Sequence, residues 1–228
     1  MEKIEKSNKS NNRDDDSEKS DLSFKIIVIG DPGVGKSCLS SRAIKDAFNS
    51  EYTATIGFEF LTLNVKIEDK NIKLKIWDTC GQETYKSLIT NFYRNSSLAM
   101  LVYSIDDKKS FTNLNKWLKE IRIQSNPDIK IVLIGNKADL EDKRAVSFEE
   151  AQKFKEENEI LFFMEASAKS GINAKKIFKE AAKILYDEYL NFLEKAKDIN
   201  YTEVNESSFN SSKLKSFHEP KKKKKCCS

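Results

Sequence analysis

The chain has 228 residues, 39% of them hydrophobic and 33% charged, with a formal net charge of +4. That length fits one domain with tails, large enough to bury a sizeable core. The sequence excludes a membrane-spanning helix, because no apolar run approaches the ~18 residues that one needs.

Met1-Glu2-Lys3-Ile4-Glu5-Lys6 lacks the apolar stretch of a signal peptide, so a cytosolic protein is expected. Cys38, Cys80, Cys226 and Cys227 show no C-x-x-C spacing, which argues against a zinc site or a disulfide framework. The charge is uneven. Residues 1–21 carry five basic and seven acidic side chains, whereas residues 196–228 carry eight basic and four acidic ones. The central part is nearly neutral, and a nucleic-acid partner is not expected, since that would call for a basic patch within the domain.

In chain order, residues 1–21 are Ser, Asn, Asp, Glu and Lys with almost nothing apolar, and disorder is expected. Phe24 to Ile29 is a short apolar run that reads as a buried strand. Gly30-Asp31-Pro32-Gly33-Val34-Gly35-Lys36-Ser37 follows, and Leu39 to Phe48 supports a helix. A strand-to-helix turn of the form G-x-x-x-x-G-K-S is a P-loop. Its glycines let the backbone approach phosphate oxygens, and successive N–H groups with the helix N-terminus attract the anion. Lys36 should reach the β- and γ-phosphates, and the Ser37 hydroxyl should ligate Mg²⁺.

Phe58 to Ile67 largely alternates apolar with polar, Asp69-Lys70-Asn71 is a turn, and Ile72 to Trp77 alternates again, predicting an antiparallel hairpin. Leu98 to Tyr103 is an apolar strand, and Phe111, Leu114, Leu118 and Ile121 share one helix face. Ile129 to Ile134 is a strand, Phe148 to Glu157 a helix, and Ile160 to Met164 a strand. Ile177 through Leu193 mark a long final helix. The expected class is α/β: a single P-loop domain with a mostly parallel six-stranded sheet, one antiparallel strand, and helices on both faces.

Ligands of such sheets sit beyond the carboxyl ends of the strands. There Asp78-Thr79-Cys80-Gly81-Gln82-Glu83 offers a carboxylate for Mg²⁺, a Gly81 N–H free to approach a γ-phosphate, and Gln82 to orient water. In Gly135-Asn136-Lys137-Ala138-Asp139, the Asp139 carboxylate could accept from guanine N1–H and the 2-amino group, donors that adenine lacks. In Glu165-Ala166-Ser167-Ala168-Lys169, the N–H near Ala168 could reach guanine O6.

G-D-P-G-V-G-K-S, W-D-T-C-G-Q-E, N-K-A-D and E-A-S-A-K, in this order and spacing, resemble the motifs of the Ras superfamily. Thr55 to Phe60, Lys73 to Trp77, Phe92-Tyr93-Arg94 and Leu101 to Ile105 resemble signature segments of its Rab branch. Asn136 to Leu140, Phe148 to Ala151 and Glu165 to Lys169 are similar to Golgi and endosomal members. The resemblance implies a small GTPase (G) domain over 22–195, with a GTP/GDP site built from Asp31, Gly33, Val34, Gly35, Lys36, Ser37, Cys38, Phe48, Thr55, Asn136, Lys137, Asp139, Ser167, Ala168 and Lys169. It also implies Mg²⁺ on Ser37, Thr55 and Asp78, catalysis through Gln82, Lys36 and Gly81, and an effector surface of Phe60, Trp77 and Phe92. Two positions depart from the family. Cys80 stands where Ala is usual, and Pro32 gives the phosphate cradle no N–H.

Residues 196–228 read as a flexible tail. Lys221 to Lys225 precede Cys226-Cys227-Ser228, and a C-a-a-X box would need Cys where Lys225 stands. The ending resembles the doubly geranylgeranylated termini of Rab proteins, which implies a lipid anchor on the cytoplasmic face of intracellular membranes with a cytosolic pool. Implied partners are effectors, an exchange factor, a GAP, the prenylation machinery and a GDP-dissociation inhibitor, around a monomer. The function expected is a GTP-binding switch with slow intrinsic hydrolysis in vesicle-mediated traffic. A GTP-loaded scaffold without hydrolysis is the alternative, and Asp139 disfavours a P-loop kinase or ATPase.

Overall fold

In the computed structural model, residues 20–48, 58–79 and 92–198 are described. The expectations placed on residues 1–19, on Thr55, Cys80, Gly81 and Gln82, and on the tail from 199 onward, including Cys226 and Cys227, lie outside the described residues. The elements are β1 (Leu22–Ile29), α1 (Lys36–Lys45), β2 (Phe58–Ile67), β3 (Lys70–Thr79), β4 (Leu98–Ser104), α2 (Lys108–Thr112), α3 (Leu114–Gln124), β5 (Lys130–Asn136), a 3₁₀ turn (Glu141–Lys143), α4 (Phe148–Glu157), β6 (Phe162–Glu165) and α5 (Ala174–Asp198).

The six strands form one sheet in the order β2-β3-β1-β4-β5-β6. The β2–β3 hairpin is antiparallel, and every other pairing is parallel. Each face of this sheet has its own apolar layer. On one, Phe24, Ile26, Val28, Ile72, Leu74 and Ile76 pack with Leu39 of α1 and Phe178 and Leu185 of α5. On the other, Ile27, Ile29, Leu101 and Leu133 meet Phe111, Leu114, Leu118 and Ile121 of α2 and α3 and Phe154 of α4. Burial from both sides explains why β4 is an unbroken apolar run with every residue buried. The alternation of β2 has the opposite cause. Leu61, Leu63 and Val65 pack on the first layer, while Phe58 and Phe60 stay exposed.

Most strand and helix ends shift by a few residues from the sequence expectation, and three differences move a residue to another setting. Helix α1 starts at Lys36 rather than Leu39 and ends at Lys45, where Asp46 turns left-handed (φ 53°) and its N–H caps Arg42 O at 3.0 Å. Phe48 therefore lies past the helix rather than on it. The second difference is that Phe111 belongs to a separate short helix from Leu114, Leu118 and Ile121. The Asp107 carboxylate caps Lys109 N and Ser110 N, and Asn113 N–H bonds back to Lys109 O and Phe111 O, closing the first helix after five residues. All four apolar side chains are nonetheless buried. Third, Lys70 and Asn71 are in β3 rather than in the hairpin turn, which is tightened by Glu68 at φ 50°.

Candidate functional site

The site is built where β1, β3, β4, β5 and β6 end, on one edge of the sheet. Gly30 leaves β1 at φ 147°, and a Cβ there would stand 2.1 Å from the Val102 carbonyl oxygen. Only glycine lets the chain turn so close to β4. The loop then closes on itself through Lys36, whose Nζ donates to the carbonyls of Gly30 (2.9 Å) and Asp31 (2.8 Å). Lys36 is buried at 5% exposure, so this cation sits inside the turn it stabilises.

Asn136, the last residue of β5, holds the far side. Its Nδ2 donates to Val34 O (2.8 Å) and Gly35 O (3.4 Å), and its Oδ1 accepts from Ala168 N–H (3.3 Å). One buried carboxamide thus joins residues 34–35 to residue 168. Gly35, at φ 91°, is the N-cap of α1, and a Cβ on it would lie 2.5 Å from that Nδ2. The Ala168 N–H, expected to face a base, is turned to Asn136 here.

Asp78 lies one residue before the end of β3 and is fully buried. Neither carboxylate oxygen meets a donor at good hydrogen-bond geometry among the described residues. Burial raises its pKa to about 6, against the pull of the neighbouring Ser37 hydroxyl and Lys36 ammonium, with Glu59 adding to the rise. A buried anion beside a hydroxyl, left with unfilled acceptor positions, suits a hard divalent cation. The described residues hold no group of three or more His, Cys, Asp or Glu side chains that could cage a metal alone. That donor set fits Mg²⁺, which keeps water and phosphate oxygens among its ligands. Cys38, beside this site, has its thiol pKa raised by burial and by Asp78, so it is not an activated thiolate.

The third cluster follows β5 and β6. Lys137 takes a left-handed conformation (φ 64°), and its ammonium lies 3.7 Å from Asp106. Ser167 Oγ donates to Asp139 Oδ1 at 2.5 Å, and Lys169 Nζ lies 4.0 Å from Asp139 Oδ2. The two loops are pinned beneath by Arg144. Its guanidinium is bidentate on Glu165 (2.7 and 2.8 Å), also grips Glu141, and donates to Val146 O. These carboxylates raise its pKa further above its already high value.

Several contacts have no sequence signal. The Asp31 carboxylate points away from the cradle and accepts from Asn113 Nδ2 (2.6 Å) and Trp117 Nε1 (2.7 Å). It ties the first turn of the loop to the α2–α3 junction, over 80 residues away in sequence. The Arg42 guanidinium lies under Gly171, where a Cβ would meet it at 2.6 Å. Of the aromatic positions, Phe60 and Trp77 have ring centroids 5.2 Å apart, and Trp77 and Phe92 are 5.0 Å apart. Phe58 joins them at 5.3 Å from Trp77 and 4.6 Å from Phe92. The cluster therefore has four rings rather than three. Alternation in β2 could have revealed Phe58, which shares a face with Phe60. Phe48 is exposed and stands apart from this cluster.

Residues 25–187 match the Ras family. Ras-related protein Rab-13 of Rattus norvegicus is 46% identical over 160 residues, covering 70% of this chain and 78% of that protein. Ras-related protein Rab-10 of Diplobatis ommata is 46% identical over 158 residues, covering 69% and 78%. The chain belongs to the Ras family, as a Rab-type small GTPase: a GTP-binding switch of membrane traffic that binds GTP or GDP with Mg²⁺ and hydrolyses GTP to GDP.

Proposed function

We propose that residues 22–195 form the switch proper, with slow hydrolysis of its own, and that residues 196–228 tether it to the cytoplasmic face of an intracellular membrane. The observation that carries the site assignment is the Asn136 bridge, which sets the phosphate loop and the Asp139–Ser167 cluster side by side. A triphosphate on the loop of Asp31, Gly33, Val34, Gly35, Lys36, Ser37 and Cys38 places its base against Asn136, Lys137, Asp139, Ser167, Ala168 and Lys169, with Phe48 at its edge.

In this reading Lys36 and the loop N–H groups stabilise charge on the phosphates, which is most of what phosphoryl transfer asks of a protein. Ser37, Asp78 and Thr55 would hold Mg²⁺, which supplies further positive charge at the β- and γ-oxygens. Gly81 N–H reads the γ-phosphate and Gln82 orients water. No described side chain is identifiable as an arginine finger, so a GAP would raise the rate by on the order of 10³–10⁵. Effectors dock on Phe60, Trp77 and Phe92 in the GTP state, and an exchange factor reloads the monomer. Double prenylation of Cys226 and Cys227 meets the two-signal requirement for anchoring, and a GDP-dissociation inhibitor maintains the cytosolic pool.

Three outcomes are expected. Asp139→Asn should weaken GTP binding and improve binding of xanthosine triphosphate, whose 2-oxo group replaces the amine; unchanged GTP affinity would remove Asp139 from the base site. Gln82→Leu should keep nucleotide affinity while slowing GAP-stimulated hydrolysis by orders of magnitude in single-turnover assays, and equal rates would assign the water to another group. In membrane fractionation, Cys226→Ser with Cys227→Ser should move the protein to the cytosol despite Lys221 to Lys225. The anchor assignment fails if that variant stays on membranes, or if mass spectrometry finds no lipid on the native C-terminal peptide.

A further inference from the structure

The face of the β2–β3 hairpin that carries the aromatic rings is larger than the rings. Antiparallel register pairs Phe60 with Trp77, Thr62 with Lys75, Asn64 with Lys73, and Lys66 with Asn71, and residues so paired point to the same side. Opposite faces alternate along each strand, so Leu61, Leu63 and Val65 go into the core while this row stays outside. Among the described residues, the apolar layer on this side of the sheet is built on β1, β4 and β5, with Trp77 at its margin and none of the hairpin lysines in it. Rings at one end therefore give way to Lys75, Lys73 and Lys66, in steps of about 7 Å for every two residues.

These three lysines make no ion pair among the described residues. Lys25, on the adjoining row of β1, is committed: it donates to Arg94 O at 2.8 Å and lies 5.0 Å from the Trp77 ring centroid. Asp21, at the far end of this row, is already engaged by Asn71 N–H (2.8 Å) and Lys70 (3.8 Å). Glu59 belongs to the other face, as the partner of Asp78 in the ladder. The hairpin thus presents an apolar anchor beside a row of lysines without ion pairs among the described residues, its turn carboxylates Glu68 and Asp69 lying beyond the Lys66 end. Complementary charge then sets partner choice and on-rate, while the rings supply most of the affinity.

We propose that this face docks an acidic, aliphatic protein segment, with branched apolar side chains over Phe58, Phe60 and Trp77, which the buried Phe92 backs, and carboxylates lying along Lys75, Lys73 and Lys66. The proposal deepens the effector-surface reading above and rests on it. It adds Phe58 to the apolar anchor and assigns the lysines a role in choosing the partner.

The test is selection of a random-peptide phage library on the full chain loaded with a non-hydrolysable GTP analogue. Selected peptides should combine aliphatic residues with an excess of Asp and Glu, and their affinity should fall at least tenfold from low to high salt. Lys73→Glu with Lys75→Glu should weaken them at least tenfold. Lys176→Glu with Lys179→Glu, the same charge change on exposed positions of α5, should leave them unaffected. Phe58→Ala should weaken them without changing their salt dependence. Peptides that need Phe60 but show no acidic excess, or that ignore the hairpin lysines, would overturn the proposal and leave the effector surface standing. Peptides indifferent to Phe60→Ala, or no selected peptide at all, would overturn both. Phosphatidylserine vesicles that bind through Lys73 and Lys75 while no acidic peptide does would assign the strip to a membrane and also overturn the proposal.

Discussion

The buried Asn136 carboxamide is the contact on which the site depends. A strand end can deliver a residue to a sheet edge, but it cannot by itself fix how three separate loops stand relative to one another. Asn136 does so by donating to the carbonyls of Val34 and Gly35 and accepting from Ala168 N–H. A carboxamide suits this task because it carries donors and an acceptor on one rigid plane, and all of them are used away from water. Ala in its place would leave buried backbone groups unpaired. Asp would repel the two carbonyls. The remaining ties are arranged around this one: Lys36 closes the phosphate loop on itself, Asp31 fixes it to α2 and α3, and Arg144 fixes the base of the 137–147 loop to Glu165.

Against this fixed frame, the Asp78 carboxylate is left short of hydrogen-bond partners among the described residues. It is fully buried, and a buried carboxylate in that condition is costly to the fold. The Asp139 carboxylate is oriented by Ser167. A site of this kind is stiff where it must keep shape and incomplete where it must discriminate. Small ligands that supply the missing charges and donors gain the most, and analogues that omit one leave a buried group unpaired.

Sequence alone made the sheet legible because its strands sit in strong hydrophobic patterns: β4 is apolar throughout, and β2 alternates. The positions of Lys36, Ser37, Asp78, Asn136 and Asp139 were legible because each stands at or just after the carboxyl end of a strand, the edge to which the motifs point. What escaped were contacts between residues far apart in the chain. Nothing local in Asn113 or Trp117 says that both turn to Asp31, and the break at Asn113, where the backbone N–H closes the first helix while the side chain bonds Asp31, interrupts what reads as one helical stripe. The role of Arg144 depends on a loop folding back over β6. The lysine row on the hairpin needed the register, since periodicity gives a face but not its cross-strand neighbours.

The most direct test of the frame is amide hydrogen exchange of the GDP-bound protein and its Asn136→Ala variant, followed by mass spectrometry of peptides spanning 30–37 and 166–170. Each lost hydrogen bond is worth about 1–1.5 kcal/mol, so both peptides should exchange on the order of tenfold faster, together, while α3 and α4 keep their protection. If the two loops exchange at unchanged rates, or if only one of them loosens, they are held independently and Asn136 is not the bridge.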